Sequence, residues 1–382
     1  MAITIEKIIK QAAFLYKMKL EAGEGGIKNI VQWVHIIEDK DVSNFLHGNE
    51  LVFTTGIQCD SNEWMINFVK KIHNKGACAV VINIGPHIKS IPSTVLQYCD
   101  DNKFPIFSVP WETKLVDITR DFCRKIVQSE QVEESIVSIF KDIIFDAKEI
   151  SSYMPSLERK GFHENGSYTV ITISNCSEGQ NASVDSNLKF YVEKISSKIG
   201  DLAVTFTYDK NRLVVLSEYS EEGINLFVEE LRRQYLSGQG DFRVGVSSTE
   251  VGVESIAKSF RRASKTLELG IKKNEEVLFY EQLGLYKVLL ESSDFSVLKK
   301  YYNDILRPLE NYDLENGTTF MEFIRIYLEN NGSVQIVADK MFVHRNTVNY
   351  QLNKIHKITG LDISELDVKL RFEICLYIRD IV

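Results

Sequence analysis

The stretch from Gly332 to Gly360, GSVQIVADKMFVHRNTVNYQLNKIHKITG, constrains this chain more than any other part of it. It reads as two short helices joined by a tight turn, the second with an apolar stripe on one side and amides and lysines on the other. A helix-turn-helix offers side chains to the DNA major groove in that form. Val348, Leu352 and Ile355 recur at helical spacing and are expected to face the core. Asn346, Tyr350, Asn353 and Lys357 fall on the opposite side, flanked by Asn349 and Lys354. Asn can bond adenine N6 and N7 together, and Arg can do the same for guanine O6 and N7. Arg345, Asn346 and Asn349 are therefore the expected base contacts. Thr347, Lys354 and His344 suit phosphate oxygens, helped by the helix N-terminus. Tyr350 and Asn353 complete the DNA-binding set. Upstream, Ser333 is the expected N-cap of the first helix, and Ile336, Val337, Ala338 and Met341 its apolar side. Asn331-Gly332 ends a helix over residues 319–330.

Charge supports this reading. Between Met341 and Gly360 the cations are Arg345, Lys354 and Lys357, with no acidic residue, inside a chain of 45 basic and 53 acidic residues and net charge −8. An acid-free window in an acidic chain marks a nucleic-acid surface. The same pattern also fits a helical bundle whose polar face merely meets water. So few cations per copy imply a homodimer or higher homo-oligomer.

VHRNTVNYQLNKIHKITG resembles the C-terminal domain of the PucR/CdaR family of bacterial transcriptional regulators. It matches that family's pattern at Val343, His344, Arg345, Asn346, Thr347, Val348, Tyr350, Leu352, Ile355, Thr359 and Gly360. It departs at Gln351, where the family usually carries Arg. The resemblance implies double-stranded operator DNA as the partner.

A length of 382 residues predicts two to four domains. No apolar run approaches the ~20 residues that span a membrane. The N-terminal MAITIEKIIKQAAF is amphipathic and has no signal-peptide core or cleavage site. The six cysteines are widely spaced without a C-x-x-C pair, so buried thiols in a reducing, cytoplasmic compartment are expected.

In residues 1–127, strands are predicted over 51–54, 77–84 and 106–109, and helices over 63–74 and 93–102. Such alternation argues for a parallel α/β sheet, whose ligands sit at the carboxyl ends of the strands. Those ends carry Thr54, Thr55, Gly56, Asn83, Gly85, Trp111 and Glu112, which suit a small polar or heterocyclic metabolite. Plain turns use the same residue types. His35, Glu38 and Asp41 share a spacing of three but lack a further ligand nearby, so no metal is expected. No nucleophile motif supports catalysis. The segment VQWVHIIEDKD, the later FLHGNELVFTTG and PIFSVPWETKLVDIT resemble the purine-catabolism-regulator domain of the same family, with Asn49 in place of a glycine. Asn tolerates positive φ, so the turn is expected to survive. The resemblance implies a sensor of nitrogen or purine metabolism, with a purine catabolite as the suggested effector.

From Phe122 to Ile150 the pattern turns helical, and Met154-Pro155 is expected to end it; the linker is assigned to 128–162. Val132, Ile136, Ile139 and Ile143 form a two-heptad seam between subunits, or else pack on a domain together with Phe140, Ile144 and Ala147. Residues 163–285 return to α/β character, with strands over 168–173, 203–208, 212–216 and 243–246 and helices over 188–199 and 255–269. That order resembles the GGDEF-like domain of the same family. Active cyclases hold Mg²⁺ and phosphates on a glycine-rich acidic hairpin. Here the turn reads Tyr208-Asp209-Lys210-Asn211-Arg212-Leu213. A dimerisation or relay module is expected, with neither enzymatic activity nor cofactor. Residues 286–382 form the helix-turn-helix domain, and Leu366, Leu370, Ile374, Tyr377 and Ile378 are expected to finish its bundle.

The expected architecture is α/β plus all-α: sensor, linker helix, degenerate GGDEF-like α+β domain and helix-turn-helix bundle. The expected function is a ligand-responsive, DNA-binding transcriptional regulator of purine or other nitrogen or carbon catabolism genes. The alternatives are a nucleotide-processing enzyme acting through the GGDEF-like domain and a protein-interaction scaffold.

Overall fold

Apolar runs bounded by turn residues set the first sheet, as a computed structural model of the chain details. The structure describes residues 3–39, 45–145, 150–176, 185–199, 202–236, 241–292 and 294–381. These fall into two compact units: Met1–Thr169 with Ser177–Asp241 and Glu250–Ala257, and Val170–Cys176 with Phe242–Thr249 and Lys258–Val382.

The first unit opens with β1 (Ile3–Thr4), α1 (Ile5–Leu15), β2 (Lys19–Ala22) and β3 (Ile30–Val31). There follow β4 (Trp33–Ile36), β5 (Glu50–Thr54), α2 (Asn62–Asn74), β6 (Ala79–Ile84), α3 (Ser93–Asp101) and β7 (Ile106–Pro110). The sheet order is β2-β7-β6-β5-β4, with β4 to β7 parallel and β2 antiparallel at the edge. The three expected strands, β5 to β7, pair parallel, and β2 adds an antiparallel edge. Alternate residues of each strand feed two cores, because both faces are covered by helices. Leu51, Phe53, Val81 and Phe107 meet Ile5, Ile8, Ile118 and Phe122 on one face. Val52, Val80, Ile82 and Ile106 meet Trp64, Phe68, Ile72 and Val95 on the other. The turn before β5 works as its sequence suggests. Asn49 adopts φ 65°, and the buried Glu50 carboxylate accepts hydrogen bonds from the amides of His47 (2.7 Å) and Gly48 (2.9 Å). His35 lies on strand β4, so the helical spacing of His35, Glu38 and Asp41 does not apply; Asp41 itself is outside the described residues.

The linker departs from expectation at both ends. Helix α4 (Leu115–Phe145) begins inside the sheet domain, where Ile118, Phe122 and Ile126 join its core. Residues 146–149 lie outside the described residues, and Met154-Pro155 starts a new helix, α5 (Met154–Glu158), with Pro in its first turn. Proline suits that position because the missing amide would have no helical partner. Ile136, Ile139, Phe140, Ile143 and Ile144 are all buried, and only Val132 of the proposed seam is exposed. Phe140 meets Phe162 edge-on, and Phe145 stacks on Tyr208. The stripe is therefore satisfied within the chain, which removes the intersubunit seam; Ala147 lies outside the described residues.

The unit continues with α6 (Asp185–Ile199), β9 (Leu202–Tyr208), β10 (Asn211–Ser217) and α7 (Glu221–Leu231). β9 and β10 form the predicted hairpin, with Asp209 at φ 54° in its tight turn. The strand between α5 and α6, β8 (Ser167–Asn175), pairs through Ser167 and Tyr168 with β12 (Glu250–Val251).

In the second unit, residues 171–175 of β8 pair antiparallel with β11 (Phe242–Val246), which pairs parallel with β13 (Val277–Phe279). Helix α8 (Ile256–Lys273) approaches β11 very closely at Gly245. A Cβ there would lie 2.3 Å from the Ala263 carbonyl oxygen. Thr172 Oγ1 donates to that same carbonyl at 2.9 Å. After α9 (Leu285–Leu290) comes a bundle of α10 (Phe295–Ile305), α11 (Arg307–Asn316), α12 (Phe320–Glu329), α13 (Val334–Lys340), α14 (Arg345–Thr359) and α15 (Leu366–Ile381). Helix α15 completes the bundle through Val368, Phe372, Cys375 and the expected Ile378, with Ile374 and Tyr377 packed against the same core. Leu366 and Leu370, expected to join them, are exposed. All six cysteines are free thiols. Cys78, Cys99 and Cys375 are buried, Cys59 and Cys123 half-buried, and Cys176 exposed, contrary to the uniform burial expected. No described helix is long and apolar enough to cross a membrane.

Candidate nucleic-acid interface and sensor cleft

Helix α13 starts where the sequence indicates: Ser333 Oγ accepts from the Ile336 amide. Asn331 and Gly332 both take positive φ between α12 and α13. Val337 and Ala338 are buried, and the small Ala338 side chain lets the next helix cross closely. Ile336, expected on the apolar side, is instead 47% exposed. The connecting turn passes through Phe342, which holds φ 54° with its ring 95% exposed. The Val343 amide then returns to the Ala338 carbonyl at 3.0 Å, which fixes the angle between the helices.

Helix α14 is capped by His344, whose Nδ1 accepts from the Asn346 amide at 3.2 Å. It ends at Gly360 in the left-handed conformation, at φ 71°. Val348 and Ile355 are fully buried, with Leu352 packed against the same core. Arg345, Asn346, Thr347, Asn349, Tyr350, Asn353 and Lys357 are exposed together along the opposite side. Two side chains differ from expectation. Lys354 is half-buried with Nζ 5.4 Å over the Tyr312 ring of α11, a cation–π contact that draws it toward the bundle. Gln351 is half-buried, and its Oε1 has no hydrogen-bond partner among the described residues. An Arg there would have no acceptor to leave unpaired.

The sensor residues divide into two groups. Thr54 is buried, and the loop from Thr54 to Ile57 wraps around the Glu38 carboxylate. Glu38 accepts from Thr54 Oγ1 (3.0 Å) and from the amides of Thr55 (2.9 Å), Gly56 (3.1 Å) and Ile57 (3.4 Å). Consecutive amides converging on one carboxylate form a filled anion nest. Asn83 is buried and donates to the Pro110 carbonyl at 3.0 Å. Gly85 lies flat against Trp111; a Cβ there would be 2.6 Å from the indole. Thr54, Thr55, Gly56, Asn83 and Gly85 are thus engaged in structural contacts.

Trp111 and Glu112 have a different setting. They line a cleft of about 490 Å³ at the carboxyl ends of β6 and β7, together with Lys17, Lys19, Glu21 and Lys89. The indole is 43% exposed and meets His87 edge-on. Glu21 accepts from Ser108 Oγ at 2.5 Å. A flat aromatic wall beside both charge signs suits a small, planar or zwitterionic polar ligand. The sequence reading missed Lys17, Lys19 and Glu21 because β2, an antiparallel edge strand, carries no run of apolar residues. Among the described residues no group of three or more His, Cys, Asp or Glu is placed to hold a metal ion.

Comparison with known proteins places these parts in families. Residues 7–126 match the purine catabolism regulatory protein-like family, residues 156–269 a GGDEF-like domain, and residues 320–378 the PucR C-terminal helix-turn-helix domain. The chain is similar to the proline-responsive transcriptional activator PutR of Bacillus subtilis (strain 168), at 23% identity over 59% of this chain and 54% of that one. It is similar to the carbohydrate diacid regulator of Escherichia coli (strain K12), at 32% identity over 37% of each chain. It is also similar to the purine catabolism regulatory protein of Bacillus subtilis (strain 168), at 26% identity over 35% of this chain and 26% of that one. The chain spans about half the length, or less, of these curated relatives.

Proposed function

Because the chain belongs to the PucR family through three successive domains, we propose that it is a ligand-responsive, DNA-binding transcriptional regulator. The observation that carries the reading is the exposed row Arg345, Asn346, Asn349 and Asn353 on a helix whose opposite face, Val348 and Ile355, is buried in its own bundle. Base readout needs that division of labour: the scaffold is satisfied internally and amides and guanidinium remain free to pair with base edges. Arg345, Asn346 and Asn349 contact bases. Thr347 and Lys357 contact phosphates, and His344 shapes the helix entry as its cap. Two copies binding two half-sites supply the cations that one copy lacks.

The effector binds the cleft of Trp111, Glu112, Lys19 and Glu21. Purine breakdown products, amino acids and sugar diacids are the classes that the relatives' names suggest. A gel shift on the DNA upstream of the chain's own operon tests the reading. Specific retention is expected for the native chain, with a loss of ~30-fold or more in Arg345→Ala/Asn349→Ala, since each lost base contact costs about 1–3 kcal/mol. Retention unchanged in the double variant would sink the assignment. Titrating the same shift with each ligand class identifies the effector.

A further inference from the structure

The opposite end of the sensor sheet holds a larger cleft that neither the DNA reading nor the Trp111 site uses. It measures about 770 Å³ and lies at the amino-terminal ends of β6 and β7. Lys28 and Lys103 come from the loops of the sheet domain; Lys194 and Lys198 come one turn apart on α6. The lining contains no aspartate or glutamate, in a chain of net charge −8. Glu50 is held by the His47 and Gly48 amides, Asp100 accepts from the Gly23 amide at 2.6 Å, and Glu230, within electrostatic reach of Lys194 and Lys198, is paired with Arg233. Among the described residues the ammonium groups of Lys28, Lys103 and Lys198 form no hydrogen bond or ion pair.

The walls are shaped for close approach. Gly25 lets the Lys103 stem lie across it, since a Cβ would come within 2.9 Å of the Lys103 side chain. Gly26 allows the loop to pass against the Lys103 carbonyl, where a Cβ would be 2.0 Å away. Asn29 is anchored to the Cys78 carbonyl at 3.1 Å, and His73 bonds the Tyr98 hydroxyl at 2.9 Å. Burial, followed by the like charge of Lys198, lowers the Lys194 pKa against the opposing pull of Glu230.

We propose that this cleft binds a multiply charged phosphate-bearing metabolite, clamped between Lys28 and Lys103 on one wall and Lys194 and Lys198 on the other. Clustered ammonium groups recognise phosphate as point charges, and a diphosphate spans two walls where a single carboxylate cannot. Bound there, it ties α6 to the sheet domain, so occupancy is a second input distinct from the Trp111 effector.

The test is isothermal calorimetry and thermal melting of the full chain with inorganic pyrophosphate and with ADP, against sulfate as an ionic control. Saturable binding of pyrophosphate or ADP with a rise in Tm is expected, because a ligand that binds only the folded state stabilises it. The pairs Lys28→Ala/Lys103→Ala and Lys194→Ala/Lys198→Ala are each expected to weaken binding by ~tenfold or more, as loss of a charged hydrogen bond does. Arg345→Ala/Asn349→Ala is expected to bind both probes as the native chain does, which separates this site from the DNA reading. The proposal is overturned if neither probe binds saturably, if sulfate binds equally well, if either lysine pair is dispensable, or if the Arg345/Asn349 variant loses binding.

Discussion

Phe342 is an expensive residue where it stands. Left-handed backbone costs a non-glycine residue about 1–2 kcal/mol, and an exposed ring recovers nothing by burial. Its position in the interhelical turn requires positive φ, which glycine supplies freely. Phe342→Gly is expected to raise stability by about 0.5–1 kcal/mol, less than the full strain because glycine loses more entropy on folding. Urea unfolding followed by circular dichroism measures it, and an unchanged or lowered midpoint would contradict the account. The exposed face of α14 was legible in the sequence because burial of Val348 and Ile355 at helical spacing fixes what the other side must expose. Lys354 was misread since its aromatic partner, Tyr312, is far away in sequence. Glu38 escaped for a related reason: its role depends on four donors that lie more than a dozen residues downstream.

At the scale of elements, periodicity located β5, β6, β7, α2, α3, α12 and α14 to within a residue or two, because each is bounded by turn residues. It failed for β2 and β4, which are short edge strands with mixed side chains, and for the start of α15, where Leu366 and Leu370 are exposed. The contact between α8 and α9 lies outside the reach of any periodicity. Arg262 donates to the Glu291 carboxylate, as does the Tyr280 hydroxyl, and the Arg262 guanidinium lies 4.7 Å over the Tyr280 ring. Burial pushes the Glu291 carboxyl up, but the hydrogen bonds from Arg262 and Tyr280 outweigh it and hold the group below the usual carboxylate range. A depressed folded pKa stabilises above the unfolded value, and that stability is lost as pH falls through the folded one. Arg262→Met is therefore expected to lower the midpoint of unfolding at neutral pH and to leave it closer to native at pH 3. Denaturant melts across that range test it, and a deficit independent of pH would assign the effect to packing alone.

For the whole molecule, acidity and nucleic-acid binding have to be reconciled. In the proposed reading a chain of net charge −8 meets DNA through its acid-free helix, against long-range repulsion from the rest of the chain. The two exposed cations of the helix, Arg345 and Lys357, predict a slope of log K against log salt near −2 for one copy and about −4 for a pair. Measuring that slope by fluorescence anisotropy distinguishes the two assemblies, and a value near −2 would remove the paired reading. The linker packs its apolar stripe inside its own chain, so the pairing proposed above draws on another surface. That outcome was hidden in the sequence, since a heptad seam and a helix docked on a domain share the same spacing until the partner, here Tyr208 and Phe162, is known.

The filled nest at Thr54–Ile57 has a consequence for competition. Glu38 is tethered to the loop it occupies, so its effective concentration there is of millimolar order or higher, and no translational entropy is lost when it binds. A free carboxylate or phosphate at metabolite levels competes against that tethered rival and also leaves a desolvated Glu38 behind. The loop is therefore blind to the anions around it, which leaves the proposed Trp111 cleft as the place for any selectivity among ligands.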